Sequence, residues 1–138
     1  MKNLSSMPVT YEIDKAAGII RTRCTGEVTI EEVVEHFHVL EQDPDCPSRL
    51  DVLLDVCDET SVPTSENLRH VTCQIGRIRG TVEFGNCAIV ACSDGLYGML
   101  RMFQVFAEEY FRESYVFRTL AEAEQWLTSH LPKTLTAG

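Results

Sequence analysis

The stretch Leu50-Asp51-Val52-Leu53-Leu54-Asp55-Val56, followed after a short acidic turn by Pro63-Thr64-Ser65-Glu66, decides how this chain is read. Its first part is a near-continuous apolar run of strand length, the pattern of a strand covered on both faces. Its second part sets hydroxyl side chains ahead of Leu68, Val71, Ile75 and Ile78, an apolar stripe at helical spacing. Thr64 or Ser65 therefore opens a helix running to about Arg79, and the whole stretch is one βα unit. A second run, Cys87-Ala88-Ile89-Val90-Ala91-Cys92, repeats the buried-strand pattern and leads into a helix expected from Gly95 to Arg112.

Working outward from these units, Val9 to Ile13 alternates as a strand and Lys15-Ala16-Ala17-Gly18 makes a turn. Ile19 to Thr25 is a second strand, with Ile20, Thr22 and Cys24 on one face and Arg21 and Arg23 on the other, so the two form an antiparallel hairpin. Thr29 with Glu32 has the spacing of a capping box and precedes a stripe of Ile30, Val33, Val34, Phe37 and Leu40. Asp43-Pro44-Asp45-Cys46-Pro47 ends that helix. Near the C-terminus a short strand, Tyr115-Val116-Phe117, leads to Thr119 and Glu122, a second capping box, and a helix packing Leu120, Ala123, Trp126 and Leu127. Residues 132–138 read as a tail. Strands alternating with single helices require parallel crossovers. The expected fold is therefore an α/β domain over residues 1–138 with its core at about 9–131. An antiparallel hairpin is followed by βα units, giving a mostly parallel sheet of four or five strands with four helices.

Composition narrows the function classes. A chain of 138 residues is of single-domain length, and 44% hydrophobic with 24% charged residues is ordinary for a globular protein. The net charge of −9 disfavours nucleic acid and anionic membrane surfaces, which attract basic proteins. Met1 to Met7 lacks the apolar run of a signal peptide, and no stretch approaches a membrane span, so a cytoplasmic protein without integral membrane association is expected. The six cysteines contain no C-x-x-C pair and are expected to be reduced and packed. Asp55, Asp58 and Glu59 would raise the pKa of Cys57, which argues against a nucleophile there.

Neither metal nor cofactor is expected. His36 and His38 lie two apart on a helix and face different sides, while Glu32 with His36 lacks a third ligand and reads as a solvated helix edge. Asp55, Asp58 and Glu59 lack the later lysine of a receiver-type phosphoacceptor site. Arg69, His70 and Arg77 form a basic arc that is either a solvated face or a dock for an acidic partner. No acid–base pair or nucleophile emerges, so no catalytic residue is nominated.

The order of elements resembles the STAS domain of anti-sigma-factor antagonists, and most closely the SpoIIAA-like subfamily, related in fold to CRAL-TRIO lipid-binding lobes. The resemblance rests on Gly26-Glu27-Val28-Thr29, Val52-Leu53-Leu54-Asp55, Tyr97-Gly98-Met99-Leu100-Arg101-Met102-Phe103, Val116-Phe117-Arg118 and Glu122-Ala123-Glu124-Gln125-Trp126-Leu127, in that order, over roughly Val9 to Leu131. It implies a SpoIIAA-like (STAS-like) fold and a non-catalytic regulatory or ligand-binding module. Such antagonists carry a switch serine in an Asp-Ser-Ser-Gly turn at the start of the second main helix. Thr64 and Ser65, nine and ten residues after Asp55, fall there, with Pro63 in place of the aspartate and Glu66 in place of the glycine. Two readings stand: a helix N-cap, or a phosphorylation switch whose phosphate would sit on free backbone N–H groups but be repelled by Glu66.

The second place of interest follows the strand ending at Cys92, where parallel α/β sheets collect ligands. Tyr97, Gly98, Met99, Arg101 and Met102 are candidates to line a pocket for a small apolar acid or lipid, with Arg101 pairing the acid group. Gly98 inside a helix costs about 1 kcal/mol against alanine, which suggests that a ligand or another backbone approaches closely. Leu96, Leu100, Phe103, Phe106, Ala107 and Tyr110 form the core stripe of this helix, and Met102 and Val105 fall outside it. The same residues fit a partner subunit in a homodimer, or ordinary surface. The functional expectation is a regulatory protein–protein interaction module, with a carrier or sensor of a small apolar, anionic ligand as the alternative.

Overall fold

The computed structural model describes residues 8–129. Strands β1 (Val9–Asp14) and β2 (Ile19–Gly26) are followed by α1 (Ile30–Glu41), β3 (Arg49–Glu59), α2 (Ser65–Ile78), β4 (Glu83–Val90), α3 (Asp94–Phe106), β5 (Ser114–Phe117) and α4 (Leu120–Ser129). The hairpin turns at Gly18, whose φ of 68° is the left-handed region that favours glycine, and the Gly18 N–H donates to the Asp14 carbonyl at 2.8 Å. β1 and β2 pair antiparallel, and every later pairing is parallel, in the spatial order β1-β2-β3-β4-β5. The expected α/β architecture is the one observed.

This order decides which face each helix covers. Every crossover steps the same way along the sheet, so the right-handed rule places α1, α2 and α3 on one face. There they stand in a row, α1 against α2 and α2 against α3. α4 follows the last strand and covers the other face over β3, β4 and β5. Two cores result. Ile20, Leu50, Val56 and Ile89 meet the three-helix layer, while Ile19, Leu53, Ala88 and Val90 meet Ala123 and Leu127 of α4. The expected capping box at Thr29 forms, Thr29 Oγ1 accepting from the Glu32 N–H at 3.2 Å while the Glu32 carboxylate accepts from the Thr29 N–H at 2.9 Å. At Thr119 the hydroxyl accepts from the Glu122 N–H at 3.3 Å and donates to the Glu122 carboxylate at 2.9 Å, a cap without the reciprocal backbone bond.

The structure departs from the sequence reading in four places. β4 begins at Glu83, four residues before the expected Cys87, through Gly85 and Asn86, which are poor strand formers. The β3–β4 register shifts between Leu50 and Val52, and the Asp51 carboxylate takes the place of a ladder carbonyl by accepting from the Asn86 N–H at 2.9 Å. α3 ends at Phe106 instead of Arg112, and a 3-10 turn at Glu108–Tyr110 brings the chain back to β5. Gln104 Nε2 fastens that return by donating to the Ser114 carbonyl at 2.7 Å. Leu120, expected in the core, is 47% exposed.

The fourth departure concerns the cysteines. Cys57 and Cys92 form a disulfide, so the expectation of a fully reduced set is corrected. Asp55 of β3 pairs with Val90 of β4, so residues two further along each strand stand opposite one another, with Cα atoms 4.9 Å apart. A strand register 35 residues apart brings them together, and no C-x-x-C pattern announces it.

Candidate functional site

The parallel strands all end at one edge, where the helix N-termini also lie, and a cavity of about 290 Å³ runs inward from it between the sheet and α1–α3. Its floor is β2 and β3, through Ile20, Thr22, Val52, Leu54 and Val56; its roof includes Val33, Phe37, Leu68, Val71 and Phe103. The exposed members of its lining, Thr29 and Val62, set its mouth between the β2–α1 and β3–α2 loops. Val52 and Leu54 sit mid-strand under the helical layer yet remain only partly buried, because their side chains face this space.

The polar groups of the lining are few and placed. Glu59, at the end of β3, accepts from Ser61 Oγ at 3.0 Å, and Ser61 Oγ in turn accepts from the Val28 N–H at 3.0 Å, tying the two loops of the mouth together. Burial raises the Glu59 carboxyl above its ordinary range, opposed by the Ser61 hydrogen bond. Together with burial, the Glu59 and Asp55 carboxylates help push the Cys24 thiol up to about 12, leaving it inert.

His36 lies in the cavity wall, not on a solvated helix edge as expected, with its ring edge-to-face against Tyr11 at 5.3 Å between centroids. Glu32, its expected companion, is held in the capping box. Burial lowers the His36 pKa from 6.5 to about 4, so the folded state holds a neutral ring that the unfolded chain would protonate. That contribution to stability is complete above about pH 6.5 and drains away as the pH falls toward 4. Urea unfolding at pH 7 and pH 4.5 is expected to show an acid loss about 2–3 kcal/mol larger in the native protein than in His36→Phe. Equal losses would remove His36 from the balance.

The residues nominated from sequence fall at three separate places. Thr64 is the N-cap of α2, its Oγ1 accepting from the Asn67 N–H at 3.1 Å, while Ser65 is the first residue of the helix and exposed. Tyr97 lies under Arg118, whose guanidinium is 4.2 Å from the ring centroid and donates to Asp94 at 2.8 Å; Arg101 donates to the Tyr97 hydroxyl at 3.3 Å. Met99 packs against the core. Gly98 is exposed, and a Cβ added there would meet nothing within 4 Å, so no backbone approaches it. Arg101 and Met102 border an open groove with Val105, Tyr115 and Trp126, on the side of α3 away from the cavity.

Other expected features are likewise engaged. Arg77 donates to both oxygens of Glu41 at 3.0 and 3.1 Å, joining α2 to α1, and Arg69 lies 4.3 Å from the centroid of Phe106, so two of the three basic residues on α2 bind neighbouring helices. Asp58 pairs with Arg23, and Asp55 accepts from the Cys57 N–H at 3.0 Å. Among the described residues there is no His, Cys, Asp and Glu group that could hold a metal ion, and no helix long and apolar enough to cross a membrane. The cavity itself was missed by sequence reading. Its one trace was Thr22, set into the otherwise apolar face of Ile20 and Cys24.

No family model matches the chain, and no curated protein matches it. Among solved structures it is similar to an uncharacterized protein from the DUF3478 family with a SpoIIAA-like fold, from Shewanella loihica PV-4. The match has a TM-score of 0.57 and 18% sequence identity, covering 86% of this chain and 91% of the other. At that identity the likeness shows the fold: a SpoIIAA-like α/β sheet, as the order of elements implied.

Proposed function

We propose that this protein is a non-catalytic binding module for a small, largely apolar molecule, with residues 1–138 forming one domain around the site. The observation that carries the reading is the cavity between the sheet and α1–α3, about 290 Å³ and walled mostly by aliphatic and aromatic side chains. Protein interiors are close-packed, and empty apolar space costs about 24 cal/mol per Å³ when nothing fills it. A void of this size would forfeit about 7 kcal/mol, a large share of a typical domain's stability. The volume lies near the lower end of the range for small-molecule pockets, about 300 Å³. The cavity's mouth opens at the carboxyl ends of the parallel strands, the end of such sheets where ligands bind. Of the two residues a phosphorylation switch could use, Thr64 caps α2 with its hydroxyl and Ser65 stands exposed beside it, so the case for a ligand rests on the cavity. The Cys57–Cys92 bridge bears on compartment, because disulfides persist in oxidising surroundings and are rare or transient in the cytosol.

Titration with N-phenyl-1-naphthylamine, which fluoresces in apolar surroundings, tests the reading. The native protein is expected to enhance and blue-shift its emission with saturable binding. Leu54→Trp, which fills the cavity from the floor, or Val52→Phe if that variant does not fold, is expected to abolish the signal. No saturable signal with native protein, or an unchanged one with a folded filled variant, would refute the site.

A further inference from the structure

The polar groups of the cavity also say what kind of head group it can receive, an inference that rests on the binding reading above. Among the described residues no lysine or arginine lines the cavity, and its one acidic residue is Glu59, at the mouth. Glu59 Oε2 holds the Ser61 hydroxyl, and among the described residues Oε1 has no hydrogen-bond donor. The other polar side chains of the lining, Thr22, Thr29, His36, Ser61 and Asn67, are uncharged or held neutral by burial. Arg101, the cation that an acid ligand would need, stands on the far side of α3, beside Tyr97. An anionic head would therefore face a partly buried carboxylate with no compensating cation, which is costly. A donor at the same place completes the hydrogen bonding of Glu59. The net charge of −9 adds a field of the same sign around the mouth.

We propose that the cavity takes an amphipathic amine, its apolar body against Val52, Leu54, Val71 and Phe103 and its ammonium on the Glu59 carboxylate. This replaces the apolar acid expected from the sequence with a ligand of opposite charge. Specificity comes from one charge-assisted hydrogen bond in a site that otherwise reads only shape and apolar area. Glu59 is the specificity-determining residue, and Ser61 orients it.

Competition against bound N-phenyl-1-naphthylamine separates this proposal from the reading beneath it. Decylamine, decanol and decanoate share one chain and differ in the head; each is used below its micelle-forming concentration. Decylamine is expected to displace the probe at about tenfold lower concentration than decanoate, with decanol between. In Glu59→Gln, checked for folding by circular dichroism and by retained probe binding, the three are expected to converge. Equal or tighter displacement by decanoate overturns the amine proposal and leaves the cavity standing. An amine preference that survives Glu59→Gln overturns the role of Glu59 and assigns the preference to the overall field. Failure of the probe to bind native protein overturns both readings together.

Discussion

Opening the Cys57–Cys92 bridge is expected to lower the unfolding free energy by about 3–4 kcal/mol, the largest change available from a single covalent bond in this molecule. The bridge joins residues separated by 35 positions, a loop that holds all of α2 and β4. In the chain-entropy account, closing such a loop restricts the unfolded ensemble far more than the folded one, in which the β3–β4 register already sets the two residues side by side. Urea unfolding with and without a reductant is the measurement, and the midpoint is expected to fall on reduction while the double variant Cys57→Ala/Cys92→Ala becomes insensitive to reductant. A loss of that size corresponds to roughly 10 °C in Tm for a domain of this length. Alkylation of the unfolded, unreduced protein should modify four thiols, those of Cys24, Cys46, Cys73 and Cys87. Six modified thiols, or no response to reductant, would show that the bridge does not form in solution.

Gly85→Ala is expected to cost about 3 kcal/mol, although a glycine-to-alanine change inside a strand ordinarily stabilises. A Cβ on Gly85 would fall on the Asp51 carboxylate, which is buried and accepts from the Asn86 N–H at the point where the β3–β4 register shifts. Either the carboxylate moves and leaves a buried N–H without its acceptor, or the strands separate. Overpacking accounts for about 1–3 kcal/mol and a lost hydrogen bond to a charged group for about 1.5–3. Gly98→Ala supplies the opposite sign within the same molecule. It lies inside α3 with open space around it, and a gain of up to about 1 kcal/mol is expected. Equilibrium unfolding of both variants tests the pair, and a neutral Gly85→Ala would mean that Asp51 has another place to go.

These two glycines show how far the sequence could be read. Gly98 looked costly for its helix, which suggested close approach, yet its surroundings are empty; Gly85 looked unremarkable and is the crowded one. A helical pattern says what a residue does to its own backbone and nothing about the neighbours that a distant strand brings. The candidate site divides in the same way. Thr64 was legible as a cap because its partner Asn67 is three residues away. The cavity was not, because Val52, Leu54, Val71 and Phe103 come from three elements whose spacing is set by how the helical layer rests on the sheet. His36 misled for the same reason: its i, i+4 neighbour is Glu32, whereas the ring it meets is Tyr11 of β1.

What the sequence determined alone was whatever depends on neighbours within a few residues: the hairpin around Gly18, the strand and helix periods, the capping box at Thr29 and the cap at Thr119, and from their order a SpoIIAA-like α/β fold. The tertiary structure decided the rest. Strand register paired Cys57 with Cys92 and set Asp51 beside Gly85, and helix-to-sheet packing left the space that Glu59 guards. Period and capping are local energies repeated along the chain, whereas register and layer spacing are single solutions of the whole packing problem, carried by no short stretch of residues.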